Sequence, residues 1–308
     1  MTRRNVIRAT ALAFVLLSSA AATASAQNGE DVDALVTRAT ILRQQNRRAR
    51  AAEVIEQAAM LAPDRADVRK LQDLLEFEVN GWEAMAGAGY KDWDDNRASW
   101  REGEVSLRRN TRIGPFLMRA AQVERSGRRD EKLEFEVYPA FRSGYLALGA
   151  GFAPDAMLYP RSTLSAELYK TLPADFEISG GYRRLNFTDK SVDVATGSLG
   201  KYVSSYFVGG RVHHFPSYGT SVTGLVRRYL SDNGQYISVF GSTGSVPELI
   251  RDPGDFDVIS SRSIGADAMF ILGSRLVLRL NGSLGDEEWP GGQTANFTTG
   301  SLGFGVRF

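Results

Sequence analysis

The chain offers little for catalysis. Its 308 residues include no cysteine and two histidines, His213 and His214, which are adjacent. Disulfides, thiolate metal sites and cysteine nucleophiles are excluded by composition. In a strand, neighbouring side chains point to opposite faces, so only one imidazole can enter any given pocket. The nucleophilic arrangement that remains is a Ser–His pair, His213 or His214 beside Ser217 or Ser221, oriented by a third polar group. Such a pair would hydrolyse lipid esters at a membrane rim. The His-His-Phe-Pro stretch matches no hydrolase motif. The paired carboxylates Asp94-Asp95 and Glu287-Glu288 fall in expected outer loops, where solvation or loose divalent-cation contact between head groups is their expected role. Asp255-Phe256-Asp257 lacks the spacing of a calcium loop, and no phosphate-cradling glycine loop opens a helix after a strand. The expectation is no catalytic residue, no metal site and no cofactor.

Charge placement carries more. Arg108, Arg142, Arg184, Arg211, Arg228, Arg262 and Arg279 lie in segments read below as membrane strands. A lipid-facing arginine there costs about 2–4 kcal/mol at mid-bilayer, so each should face inward or sit near a strand end. The candidate lumen set is Arg142, Arg184, Arg211 and Arg279 with the acids Glu134, Glu136, Glu167 and Asp267. Fully paired, these charges fill the lumen with an ionic network. Left partly basic, they select anionic sugars or other small anions. Over the whole chain 37 basic and 36 acidic residues leave a formal charge of +1, which gives no footprint for nucleic acid.

These residues are positioned by a body with a period of two. From Asn80 to Phe308, apolar positions alternate with polar or small ones: Leu133, Phe135 and Val137 against Glu134 and Glu136, then Leu276, Leu278 and Leu280 against Val277 and Arg279. Segments of ten or more such residues, separated by turn signals, form the dyad pattern of an antiparallel transmembrane β-barrel. Soluble sandwich strands usually run to about 5–6 residues. Glycine, at 31 of 308 residues, exceeds the usual share of about 7% and suits crowded inward faces. The expected strands are 80–92, 97–109, 112–125, 130–142, 144–153, 160–172, 175–187, 190–200, 202–215, 219–230, 235–244, 257–272, 274–285 and 294–308. That makes about 14, or 12 if the weakly apolar 97–109 and 190–200 drop out. Short turns, Lys201 and Gly273 among them, then alternate with longer connections at 153–159, 244–256 and 286–293.

Two further segments complete the plan. Residues 1–26 read as a secretory signal peptide, with Arg3, Arg4 and Arg8, an apolar run from Ala9 to Ala22, and Ala24-Ser25-Ala26 before the cut. That run is too short to span a bilayer of about 30 Å as a helix. Residues 27–79 switch to helical spacing. Leu35, Ala39, Leu42, Ala51, Ile55, Ala58 and Pro63 resemble one tetratricopeptide repeat, with Arg38 where that family usually carries leucine. Asp64 is expected to cap a third helix bearing Leu71, Leu74 and Leu75 on one face. A lone repeat buries its apolar face poorly, so a periplasmic protein is the expected cover for residues 31–79.

The last strand, Ser301 to Phe308, places Ser301, Gly303, Val306 and Phe308 at the spacing of an outer-membrane assembly signal, implying contact with the barrel-assembly machinery. Gly181-Tyr182-Arg183-Arg184-Leu185-Asn186-Phe187, with Val192, Thr196, Leu199, Gly200, Tyr202, Tyr206 and Arg211 after it, resembles the YaiO-type outer-membrane β-barrel family over roughly Gly81 to Phe308. The resemblance implies a barrel in outer-membrane lipid with the helical segment in the periplasm, and brings no catalytic residues. The function expected is therefore non-catalytic: a structural or narrow-pore barrel with a helical segment for protein contact. Exopolysaccharide export is the alternative, and lipid hydrolysis a third reading.

Overall fold

A computed structural model describes residues 31–43, 48–230, 234–245, 258, 260–273 and 275–308. The chain divides into two compact units between Val79 and Asn80. The expected signal peptide lies outside the described residues.

The first unit holds α1 over 31–43, α2 Arg48–Leu61 and α3 Ala66–Asn80. Ala39, Ala51 and Ala58 are fully buried, which lets α1 and α2 approach closely around Ile55. Val68, Leu71 and Leu75 of α3 pack onto that same core. The expectation that an outside partner must cover Leu71 and Leu75 therefore changes: the unit's own hairpin covers them, as a stacked repeat otherwise would. Arg43 on α1 pairs with Glu78 on α3, Nη2 to Oε1 at 2.7 Å and Nε to Oε2 at 3.1 Å. Asp64 meets Arg69 at 2.6 Å. The acid in the first turn of α3 is Asp67, and hydrogen bonding from Arg65 holds its carboxyl down to about 2.

The second unit is a closed antiparallel barrel of fourteen strands among the described residues. They are β1 Trp82–Trp93, β2 Trp100–Arg109, β3 Phe116–Arg125, β4 Arg128–Val137, β5 Gly144–Phe152, β6 Ser162–Thr171 and β7 Phe176–Asn186. There follow β8 Ser191–Val203, β9 Tyr206–Phe215, β10 Gly219–Tyr229, β11 Tyr236–Gly244, β12 Ser260–Leu272, β13 Leu276–Trp289 and β14 Gln293–Arg307. Past Tyr138-Pro139, Ala140–Phe141 resumes the line of β4 and pairs with β5. Pro139 has no N–H to give the ladder, which accounts for the break. Each strand pairs with the next, and β14 closes on β1 from Glu83↔Arg307 to Trp93↔Phe297. Closure leaves no open edge, the condition for spanning hydrocarbon with strands.

Two expected turns move. Lys201 stays in β8, because the aromatic cross-strand pair Tyr202 and Phe207, 4.8 Å apart, carries the ladder on to Val203 opposite Tyr206, and the turn follows at Ser204, which takes φ +55°. The expected loop 286–293 is a tight hairpin: pairing continues to Trp289↔Gln293, and Gly291 and Gly292 supply positive φ in the connection. The connection 153–161 is long, as expected, and the one after Gly244 lies mostly outside the described residues. Outward positions carry Val105, Phe135, Leu148, Leu199, Val239, Ile264, Leu280 and Phe304, all exposed. In lipid that exposure is the stable arrangement.

Candidate functional site in the barrel lumen

Three layers of inward side chains fill the lumen. At the end carrying the longer connections, Trp93, Trp100, Val123, Ala295 and Phe297 from four strands form an apolar cluster with Ala153, Ala156, Leu158 and Tyr159. Residues 153–161 are therefore folded into the barrel mouth. Asp130 of β4 holds them, accepting backbone N–H bonds from Met157, Leu158 and Tyr159 at 2.7, 2.5 and 3.0 Å. The Tyr159 hydroxyl donates to Glu102 at 3.0 Å, and Lys132 lies over its ring. A second cluster, Leu185, Phe187, Val192, Val194 and Phe215, lines the same end around β7–β9.

The middle layer is ionic. Arg119 meets Glu104 at 3.4 Å, Glu134 at 3.3 Å and Glu136 at 4.0 Å, while Lys132 meets Glu134 at 3.2 Å. Arg211 reaches from β9 to Glu167 on β6 with two parallel bonds of 2.9 and 3.2 Å, and donates to the Tyr169 hydroxyl. That pair spans β7 and β8 because Gly181 lies beneath it: a Cβ there would meet the Glu167 Cβ at 2.6 Å. Glu287, 1% exposed, is held by Lys91 at 2.5 Å and by the Trp93 indole at 3.0 Å. Arg227 lies 3.7 Å from Asp267. Buried charge is costly unless paired in this way.

At the end carrying the chain termini of the barrel, Glu83 is 3% exposed and takes Arg279 at 3.0 Å and Arg307 at 2.8 Å. Facing that cluster across the lumen is an arc of inward tyrosines. Tyr145 stacks on Tyr169 at 4.5 Å, and Tyr202 and Tyr236 flank Tyr229 at 6.4 and 6.5 Å. A cavity of about 850 Å³ runs between these walls, bounded by Gly87, Gly89 and Gly303 on one side and Arg183, Thr223 and Phe240 on the other.

Of the residues singled out in the sequence, Arg211, Arg279, Glu134, Glu136, Glu167 and Asp267 enter the lumen and are paired there. Two depart from expectation. Arg142 lies exposed in the turn before β5. Arg184 faces outward near the end of β7, 3.3 Å from Asp193 and on the same face as Tyr182. Its neighbour Arg183 takes the inward position, paired with Ser165 and Val194. In a strand the choice between adjacent arginines rests on register, which a Tyr-Arg-Arg-Leu run leaves open. Glu83, Arg119 and Glu287 were missed. Glu287 followed Gly285 and Asp286 in a polar run that reads as loop, whereas Glu83 and Arg119 alternate with small or apolar neighbours and were open to the dyad reading.

The histidines part as expected. His214 faces outward and shares a hydrogen bond with Thr220 at 2.9 Å. His213 faces inward opposite Ser221. The His213 Nε2 and the Ser221 Oγ are both buried without a hydrogen-bond partner, so no bond joins them. A nucleophilic serine requires that bond and an orienting group behind the base. Ser301 and Gly303 face the lumen, whereas Val306 and Phe308 face out; Phe308 exchanges backbone bonds with Trp82 at 2.6 and 2.9 Å across the closing seam. Among the described residues no group of three or more His, Asp or Glu side chains could hold a metal ion.

In comparisons with known proteins, residues 83–249 match the YaiO membrane beta barrel domain. No curated protein matches the chain. The outer membrane protein Omp33 of Acinetobacter baumannii aligns with TM-score 0.47 and 10% identity over 75% of this chain and 99% of its own. OmpF of Salmonella typhi, solved with daunomycin, gives 0.40 and 6% over 74% and 97%. An anion-selective porin from Comamonas acidovorans gives 0.39 and 9% over 74% and 98%.

Proposed function

Since the chain belongs to the YaiO family of outer-membrane β-barrels, we propose that it is a non-catalytic, narrow conduit for small solutes. The carrying observation is the lumen itself: a cavity of about 850 Å³ between walls of paired charge, with residues 153–161 packed into its mouth. Charged rings and constrictions of this kind select what passes a pore. The volume favours small solutes over a polysaccharide chain, which sets the export reading second. The unbonded His213 and Ser221, turned to the lumen and away from lipid, favour a non-enzymatic role.

In this reading the helical unit lies in the periplasm, where short barrel connections and both barrel termini belong in this class. Ile41, Met60 and Leu61, 47%, 72% and 50% exposed, are its contact surface for a protein partner. The outward Val306 and Phe308 at the seam are what the assembly machinery reads. Single-channel recording of the folded protein in planar bilayers tests the conduit. Small, discrete steps are expected. Large steps typical of a wide pore, or no steps at all, would overturn it.

A further inference from the structure

A second recess, of about 200 Å³, opens off the wall formed by β4–β9 and shares Arg183, Ser165 and Glu136 with the main cavity. Arg211, Thr196 and Tyr145 also bound it. Its carboxylates are already engaged: Glu167 takes two bonds from Arg211, and Glu136 accepts from Tyr138 and lies 4.0 Å from Arg119. Arg183 is different. Its side chain faces the lumen and, among the described residues, makes no ion pair or hydrogen bond. The hydroxyls of Ser165, Thr196 and Tyr145 are likewise unengaged. On the adjoining strand Thr223, register partner of Arg211, buries an Oγ1 with no partner, and so does the Nε2 of His213, register partner of Thr196.

The wall thus holds several unengaged polar groups, and Arg183 is the cation of the recess with no carboxylate bonded to it. What completes it is a group with negative charge and several acceptor oxygens. A guanidinium satisfies carboxylate and phosphate oxygens through parallel N–H bonds, and charge-assisted bonds of this type are about twice as strong as neutral ones. We propose that this recess binds the oxyanion head of a small solute, a carboxylate or a phosphate, with Arg183 as its principal contact and Arg211, Ser165 and Thr196 around it. This names the solute class of the conduit, and rests on that reading only for access to the lumen.

The test is isothermal titration of the detergent-folded full chain, at constant ionic strength, with inorganic phosphate, glucuronate and neutral glucose. Saturable binding of phosphate or glucuronate and none of glucose is expected; the two anions tell phosphate from carboxylate. Arg183→Gln should weaken that binding about tenfold or more, and Arg183→Lys should recover most of it. Arg228, which lies against the exposed Tyr206 on the outer face near the end of β10, gives the control: Arg228→Gln should bind as the unaltered chain does. Heat-modifiable migration on gels verifies that each variant is folded. Binding of neither anion, equal binding of glucose, or unchanged affinity in folded Arg183→Gln overturns the inference. A barrel that conducts yet binds neither anion sinks this proposal and leaves the conduit standing, while anion binding without conductance does the reverse.

Discussion

At Gly181 a missing side chain decides whether a charge pair can form. Glu167 and Arg211 lie three strands apart, and the carboxylate reaches the guanidinium only by crossing the bare backbone of β7. Gly181→Val puts a Cβ 2.6 Å from the Glu167 Cβ and 2.8 Å from the Ala166 carbonyl oxygen, atoms that no side-chain rotation moves, so β6 and β7 must shift apart and carry the acid off Arg211. The loss expected is at least about 1.5–3 kcal/mol, the range for a hydrogen bond to a charged group. Gly180→Val is its control, since a Cβ there meets nothing within 4 Å. Comparing the temperatures at which the two folded variants lose fast gel migration tests the point, and equal shifts would sink it. The sequence showed that Arg211 and Glu167 must be inward, because lipid penalises charge at mid-bilayer. It did not show that they pair, since the partners are 44 residues apart and their meeting depends on register and on a glycine in a third strand.

Elements were legible where periodicity was strong and blurred where a polar run mimicked a loop. All fourteen expected strands correspond to observed ones, but β13 carries its ladder on to Trp289, through Asp286-Glu287-Glu288. Pairing Glu287 with Lys91 inside the barrel removes the need for water that the polar run suggests. The opposite case is the connection expected at 153–159 as a plain outer loop, observed as 153–161 and packed against Trp93, Trp100 and Phe297. Its composition hinted at this through Ala153, Ala156, Leu158 and Tyr159, yet its anchor, Asp130, is distant in sequence. Asp130→Ala deprives three backbone N–H groups of their acceptor at once, each loss costing about 1–3 kcal/mol when the donor stays buried. The segment should detach from the mouth. A severalfold rise in single-channel conductance and new protease cleavage within 153–161 are expected; unchanged conductance with an intact loop would show that Asp130 does not hold it.

At the scale of the whole molecule the question is whether the barrel needs the helices before it. The composition break near Asn80 marked the boundary in the sequence, because helical and strand periods cannot coexist in one element. The fate of the apolar face of α3 could not be read there, since whether Leu75 meets a partner or its own hairpin depends on how α1 and α2 cross. In the structure Leu75 is fully buried against Ile55 and its neighbours, so the helical unit has a core of its own. The barrel, for its part, closes without it: Trp82 and Phe308 exchange backbone bonds at the seam, and Glu83 finds Arg279 and Arg307 within β13 and β14. Every strand hydrogen bond that closure requires is supplied by another strand, which is the condition for stability in a bilayer. A chain in which residues 1–26 are joined directly to Asn80 should therefore insert and show the heat-modifiable folded form, with a conductance close to that of the full chain. Its recovery only as unfolded material, while the full chain folds under identical expression, would show that the helices take part in building the barrel.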